Sequence, residues 1–323
     1  MSNSFLRHRA PRVIFFGMQG RFSPPSLHAL LASGIDVRAV VLPSSSNSVA
    51  DSPAIYRHEQ FRSARPLLPV VHSSLHINVL QLASEWQLPV WEVNNLSAPE
   101  TLVTLAAYEP DVICVACFSR RIPRAVLSLP RFGCLNVHPS LLPVNRGPVP
   151  LFWTFRSGAD STGVTIHFME EALDSGDLLA QEVIPVRDGM TYTQLEAQCA
   201  TRGGTLLAEC VRDLTQGRAQ RVPQDERRSS YFPYPSDEDF VIPTAEWSAR
   251  HVYNFICGIA EWGEAMTLLV GDERFTARQG ISYSREVVDE VRNSAYERRE
   301  GIYYRTGDDV LWVRCSEGWV AVA

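Results

Sequence analysis

Asn136 and His138 stand two residues apart in Leu135-Asn136-Val137-His138-Pro139-Ser140-Leu141-Leu142-Pro143, and Leu173-Asp174-Ser175-Gly176-Asp177 follows downstream. Side chains two apart in an extended chain share a face. A strand ending at His138 therefore projects an amide and an imidazole together beside a proline-rich loop, and Asp174, on a glycine-bounded loop, adds a carboxylate. A hydrogen-bond-donating amide, an imidazole and a carboxylate suit proton transfer at a carbonyl centre. The spacing alone leaves open whether Asp174 meets the other two. A strand-end histidine also serves as a satisfied structural group, and Asp174 and Asp177 also suit turn capping. His167 lies on the strand face opposite Val164, Ile166 and Phe168 and reads as structural or supporting.

The elements that must position these groups follow from hydrophobic periodicity and turn residues. Arg12-Val13-Ile14-Phe15-Phe16-Gly17 reads as a buried strand closing on a glycine turn; residues 25–33 read as a helix stopped by Gly34, and 37–42 as the next strand. This β-α-β opening implies a parallel sheet covered by helices. Gly17-Met18-Gln19-Gly20 lacks the G-x-G-x-x-G pattern, which disfavours a dinucleotide cofactor. Residues 43–53 are polar and read as a surface loop.

The alternation continues with helices over 75–86, 99–108 and 123–129, the last with proline in its first turn, and strands over 90–93, 112–116 and 134–138. Ligands of open parallel sheets collect outside the carboxyl ends of the strands. That rule brings Phe118, Asn136 and His138 to one crevice if their strands are neighbours. A helix over 148–156, strands over 163–169 and 178–186, and a long helix over 193–214 come next. The charged, proline-rich stretch 223–239 reads as a linker, followed by a helix over 249–259 and short β-type runs at 266–270, 301–305 and 310–315. The expected class is α/β, a Rossmann-like and largely parallel sheet with a smaller β-rich domain behind it.

Composition narrows the function classes. A length of 323 residues suits two domains, and a 45% hydrophobic fraction suits a full core. No run reaches the roughly eighteen apolar residues of a membrane-spanning helix. The basic start runs directly into Val13–Gly17, too short for a signal-peptide core, so a cytoplasmic location is expected. Seven irregularly spaced cysteines do not suggest a disulfide framework. The lone pair Cys114 and Cys117 lacks the two further ligands a zinc site needs and reads as small buried strand residues. Net charge is −6, and every fixed side-chain cation is arginine because the chain contains no lysine. A mildly acidic whole does not favour a large nucleic-acid surface.

Taken together, the Asn136–Pro143 segment, Arg146-Gly147, Thr162-Gly163-Val164-Thr165-Ile166-His167 and the Asp174 loop resemble the 10-formyltetrahydrofolate-dependent formyltransferases. That family includes methionyl-tRNA formyltransferase, glycinamide ribonucleotide transformylase and the sugar N-formyltransferases. The likeness covers residues 12–240. It implies a Rossmann-like catalytic domain over 1–222, a linker over 223–240 and a barrel-like domain over 241–323. Asn136, His138 and Asp174 match the family's catalytic triad. Phe118, Arg121, Ile122 and Pro123 fall where the family builds part of its folate pocket, and Ser140, Leu141, Leu142, Pro143 and Leu173 are expected to contact folate on the same ground. The resemblance implies transfer of the formyl group of 10-formyltetrahydrofolate to a primary amine, chemistry that requires no metal.

The acceptor is less readable. Arg146-Gly147-Pro148-Val149-Pro150-Leu151-Phe152-Trp153 departs from the Arg-Gly-Ala-Ala-Pro-Ile common in methionyl-tRNA formyltransferase, and its aromatic pair is similar to formyltransferases of smaller acceptors. The family's tRNA-facing loop is rich in lysine and arginine; here 43–53 is serine-rich, with arginines following at 57, 62 and 65. From Phe240 onward nine arginines face thirteen acidic residues, a poor surface for phosphates. Length and two-domain layout point the other way, to a methionyl-tRNA formyltransferase-like protein. The acceptor is thus an aminoacyl-tRNA or a small amine such as an amino sugar. Two rivals from other classes are a 10-formyltetrahydrofolate hydrolase, using water as nucleophile, and a non-catalytic folate-binding protein.

Overall fold

The computed structural model describes residues 9–44, 52–58, 78–287, 289–299, 301–307 and 309–323. Most of the polar loop expected at 43–53 lies outside the described residues, as do Arg62 and Arg65. The first part of the chain runs β1 (Arg12–Gly17), α1 (Ser23–Ala32), β2 (Asp36–Pro43), β3 (Ile55–Arg57), α2 (Val79–Glu85), β4 (Val90–Val93), α3 (Pro99–Ala106), β5 (Val112–Ala116), α4 (Arg124–Leu127), β6 (Cys134–His138), α5 (Pro150–Arg156), β7 (Ser161–Phe168), β8 (Leu178–Pro185) and α6 (Tyr192–Thr215). The remainder runs β9 (Val241–Pro243), α7 (Ala249–Ile259), β10 (Met266–Val270), β11 (Glu273–Ala277), β12 (Gly280–Ser284), α8 (Asp289–Ser294), β13 (Ala295–Arg299), β14 (Tyr303–Thr306), β15 (Leu311–Arg314) and β16 (Trp319–Val322).

Eight strands form one sheet in the order β3-β4-β2-β1-β5-β6-β7-β8. Its centre is parallel, whereas β3 pairs antiparallel with β4 and β7 antiparallel with β6. The expected Rossmann-like sheet with mixed edges is therefore present. Val13, Ile14, Phe15 and Phe16 are all buried, the continuous burial of a parallel strand covered on both faces. Ile14, Phe16, Val41, Ile113 and Val115 form one packed cluster with Leu105 and Val126 from the helices. Beneath the site strand, α6 comes unusually close. A Cβ on Gly203 would stand 2.5 Å from a Val137 methyl and 2.8 Å from one of Val164, so only glycine lets the helix lie there.

By compactness the chain divides into two units. One comprises Met1–Arg146, Gly163–Glu182 and Ala197–Ser229; the other comprises Gly147–Thr162, Val183–Glu196 and Ser230–Ala323. The second is β-rich, with a five-stranded antiparallel sheet ordered β12-β16-β15-β14-β13 and a three-stranded sheet ordered β11-β10-β9. Its core is aromatic. Phe152 meets Phe255 edge-on at 5.8 Å, and Trp262 at 5.2 Å, spacings at which ring pairs add to simple burial. Among the described residues no helix is long and apolar enough to cross a membrane.

Candidate active site

The site is built on β6 and the two strands beside it. Asn136 pairs with Val115 of β5 on one side and with His167 of β7 on the other, so β5 and β6 are neighbours as the crevice argument requires. Directly opposed residues of an antiparallel pair share a face, which puts His167 on the same side as Asn136 and His138. His138 is 4% exposed and His167 1% exposed.

At Pro139 the strand gives way to a tightly held loop. The Thr165 hydroxyl donates to the Ser140 carbonyl at 2.6 Å and accepts from the Leu142 N–H at 3.2 Å and from Gln181 Nε2 at 2.9 Å. The Ser140 hydroxyl donates to the Val144 carbonyl at 2.7 Å. Asn145 then adopts a left-handed φ of 58°, a conformation asparagine tolerates better than most residues. Its carbonyl oxygen lies 2.9 Å from His138 Nε2.

Asp174 enters from the loop between β7 and β8, also left-handed with φ 53°, and is buried. Gly176 makes this entry possible, because a Cβ there would stand 2.1 Å from the Phe168 carbonyl oxygen. The Asp177 carbonyl closes the loop by accepting from the Phe168 N–H at 2.9 Å. One carboxylate oxygen of Asp174 lies 3.7 Å from His138 Nδ1, and the other 3.7 Å from His167 Nε2. These distances exceed a formed hydrogen bond, as is common at sites that tighten only around substrate. The two motifs thus converge, with His167 as a fourth member.

Main-chain carbonyls set where the protons sit. A carbonyl only accepts, so His138 carries its proton on Nε2, facing Asn145. His167 Nδ1 lies 2.8 Å from the Phe168 carbonyl and carries the proton on that side. Burial pushes the His167 pKa down to about 4, with His138 and Arg146 acting in the same sense against the pull of Asp174. The ring is therefore neutral at pH 7, and its Nε2 is an acceptor. Asn136 Nδ2 sits 3.1 Å from that nitrogen and must be the donor. The amide is oriented by this bond, and its second N–H is left to point at a ligand.

The positions expected to contact folate fall into two groups. Phe118 is half-buried just beyond β5, its ring edge-on to Phe16 at 5.2 Å. A cavity of about 420 Å³ is lined by Ser97, Arg121, Ile122, Pro123, Arg124 and Glu171, and Arg121 Nη2 donates to the Glu171 carbonyl at 2.9 Å. Leu141 is half-buried and Leu173 is exposed. Ser140, Leu142 and Pro143 are buried and hold the loop. Sequence reasoning gave His167 only a supporting part, and it passed over Thr165, Gln181 and Gln224. Gln224 donates to the carbonyls of Asp174 and Gly176. The antiparallel register between β6 and β7 is the signal that would have raised His167.

Comparison with known proteins gives one consistent result. The family described as Formyl transferase matches residues 12–211. A methionyl-tRNA formyltransferase from Synechococcus sp. (strain JA-3-3Ab) is 31% identical over 315 residues, spanning 95% of this chain and 90% of that protein. The methionyl-tRNA formyltransferase of Syntrophomonas wolfei is 35% identical over 309 residues, spanning 94% of this chain and 89% of its own length. Among solved structures, an N-formyltransferase from Helicobacter canadensis, in complex with folinic acid and dTDP-3-aminofucose, matches with a TM-score of 0.61 at 12% identity, over 96% of this chain and 98% of that one. At that identity the likeness carries the fold alone.

Proposed function

Since the chain belongs to the formyl transferase family and is a one-carbon group transferase that uses 10-formyltetrahydrofolate as donor, we propose that Asn136, His138 and Asp174 carry the transfer and that its acceptor is the amino group of methionyl-tRNA. The observation that carries the site reading is the approach of one buried carboxylate, Asp174, to both His138 and His167 at 3.7 Å. The acceptor reading rests on relatives of 31% and 35% identity whose matches run through both units of the chain. The division into a catalytic domain over 1–222, a linker over 223–240 and a C-terminal domain over 241–323 belongs to the same proposal, as does a cytoplasmic location.

In this reading the amine nitrogen attacks the formyl carbon, and an electron pair moves onto the formyl oxygen. The free N–H of Asn136 donates to that oxyanion; losing such a donor costs roughly 3–4 kcal/mol of transition-state stabilisation. The attacking nitrogen gives up one proton toward Asp174, with His138 Nδ1 beside it to share the charge. The carbon–N10 bond breaks, N10 takes that proton, and the products are the N-formyl amine and tetrahydrofolate. Acid–base help of this kind is worth about 10²–10⁴ in rate. Phe118, Arg121, Ile122, Pro123, Leu141 and Leu173 are assigned to the folate, on scaffolding provided by Ser140, Leu142 and Pro143.

The test is consumption of 10-formyltetrahydrofolate with methionyl-tRNA, with a panel of amino sugars, and with no amine. Turnover confined to methionyl-tRNA, falling steeply with added salt as phosphate contacts demand, is the expected result. Turnover with amino sugars alone would overturn the acceptor, and formate release without amine would identify a hydrolase.

A further inference from the structure

We infer that Gln224 is a positioning residue of the transfer site, whose amide ties the loop carrying Asp174 to the loop carrying the His138 anchor; the inference rests on the catalytic reading of Asp174. The Gln224 amide uses its whole hydrogen-bonding capacity. Nε2 gives one N–H to the Asp174 carbonyl and the other to the Gly176 carbonyl, each at 2.8 Å. Oε1 accepts from Arg146 Nε at 3.2 Å and Nη2 at 2.7 Å. A flipped amide would set its oxygen against two carbonyls and its NH2 against a guanidinium, so only this orientation is satisfied.

Arg146 is itself buried at 9% exposure, and its outer edge grips Glu226 through contacts of 3.0 and 2.7 Å. It directly follows Asn145, the residue whose carbonyl holds His138 Nε2. The Arg146–Gln224 pair therefore joins the loop that fixes the imidazole to the loop that fixes the carboxylate. Asp174 needs this support. A non-glycine residue at positive φ persists only where its surroundings over-determine it. Gln224 clamps the two carbonyls flanking Ser175, which sets the peptide planes from which the Asp174 side chain reaches both histidines. Gln224 is brought there by a main-chain bridge, with Leu178 and Val222 exchanging hydrogen bonds at 2.8 and 3.0 Å. The head of the proline-rich stretch proposed as a linker thus reaches back to the loop that carries Asp174.

Gln224→Ala and Gln224→Glu in the full chain test this. The glutamate variant keeps the side-chain volume and the Arg146 pairing but presents an acceptor to two carbonyls, so it remains informative if the alanine variant folds poorly. Displacement of a catalytic group on the order of 1 Å costs about 10²-fold. Turnover should fall by about that factor in either variant, while the KM for 10-formyltetrahydrofolate moves by less than about threefold and the melting temperature stays within a few degrees. Wild-type kcat in both variants, or a loss confined to KM, or a loss that merely tracks thermal stability, overturns the inference. Asp174→Ala in the same assay separates the two readings. If it retains wild-type kcat, the catalytic reading itself fails; if it is inactive while both Gln224 variants turn over normally, only the strap fails.

Discussion

Replacing His167 with glutamine should remove an acid-sensitive part of this protein's stability. The His167 ring is 1% exposed, and burial, reinforced by His138 and Arg146, pushes its pKa down to about 4. A histidine in an unfolded chain titrates near 6.5. Between those values the unfolded chain binds a proton that the folded chain refuses, so stability falls as pH drops through the window and levels off below its lower end. The full span corresponds to about 3 kcal/mol, of which about 2 kcal/mol is lost between pH 7 and pH 4.5. Glutamine keeps a donor and an acceptor in the site and does not titrate. Urea unfolding followed by circular dichroism, for both proteins at both pH values, isolates the effect as a difference of differences. The native chain should lose about 2 kcal/mol more than His167→Gln over that interval. Equal losses would refute the neutral, buried ring and, with it, the argument that Asn136 is held by donating to His167.

Asn136→Ala should lower kcat by about 10²–10³-fold, because the oxyanion donor is removed, and should lower the melting temperature as well, because buried His167 Nε2 loses its donor; single-turnover formyl transfer and thermal melting read the two effects. Gly176→Ala should destabilise by about 1–3 kcal/mol, since its Cβ would meet the Phe168 carbonyl oxygen at 2.1 Å and displace the acceptor of His167 Nδ1; the denaturant midpoint and turnover should fall together. Thr165→Val leaves the Leu142 N–H and the Ser140 carbonyl without their shared partner, a loss of about 1–3 kcal/mol for buried polar groups that thermal melting will show.

Elements bounded by sharp signals were legible along the chain. β4, β5, β6, β10 and α7 fall on the ranges their apolar runs predict. Helix starts depend on the chemistry of the first turn, which periodicity does not read. α1 begins at Ser23 because Pro24 and Pro25 both fit a first turn; residues 75–77 of the helix expected over 75–86 lie outside the described residues, and α2 runs from Val79 behind the reciprocal capping box of Asn78 and Gln81. Short strands such as β9, three residues ending in proline, carry too little pattern to be read. Cys117 was expected to be a small buried strand residue; it lies beyond β5, exposed, with φ 59°, whereas Cys114 is buried as expected. At the site, the shared face of Asn136 and His138 follows from strand periodicity, but the approach of Asp174 depends on how β7 pairs with β6. Gln224 had no sequence signal at all, because what its amide N–H groups hold are two main-chain carbonyls 50 and 48 residues away.

The carbonyls of Asn145 and Phe168 draw the protons of both histidines to their far nitrogens, which turns the His138 Nδ1 lone pair toward Asp174 while the His167 Nε2 lone pair accepts from Asn136. The carboxylate and His138 Nδ1 then face each other at 3.7 Å, and the Asn136 amide is held beside them by His167. Between them the carboxylate and His138 Nδ1 can share one proton. In the proposed reaction that proton comes from the attacking amine and leaves on N10, so the site is restored at each turnover without exchange with solvent. Side-chain identity can be read from a sequence, but tautomers fixed by backbone carbonyls cannot. The left-handed turn at Asn145 and the glycine contact at Gly176 are the two places where the backbone makes that choice.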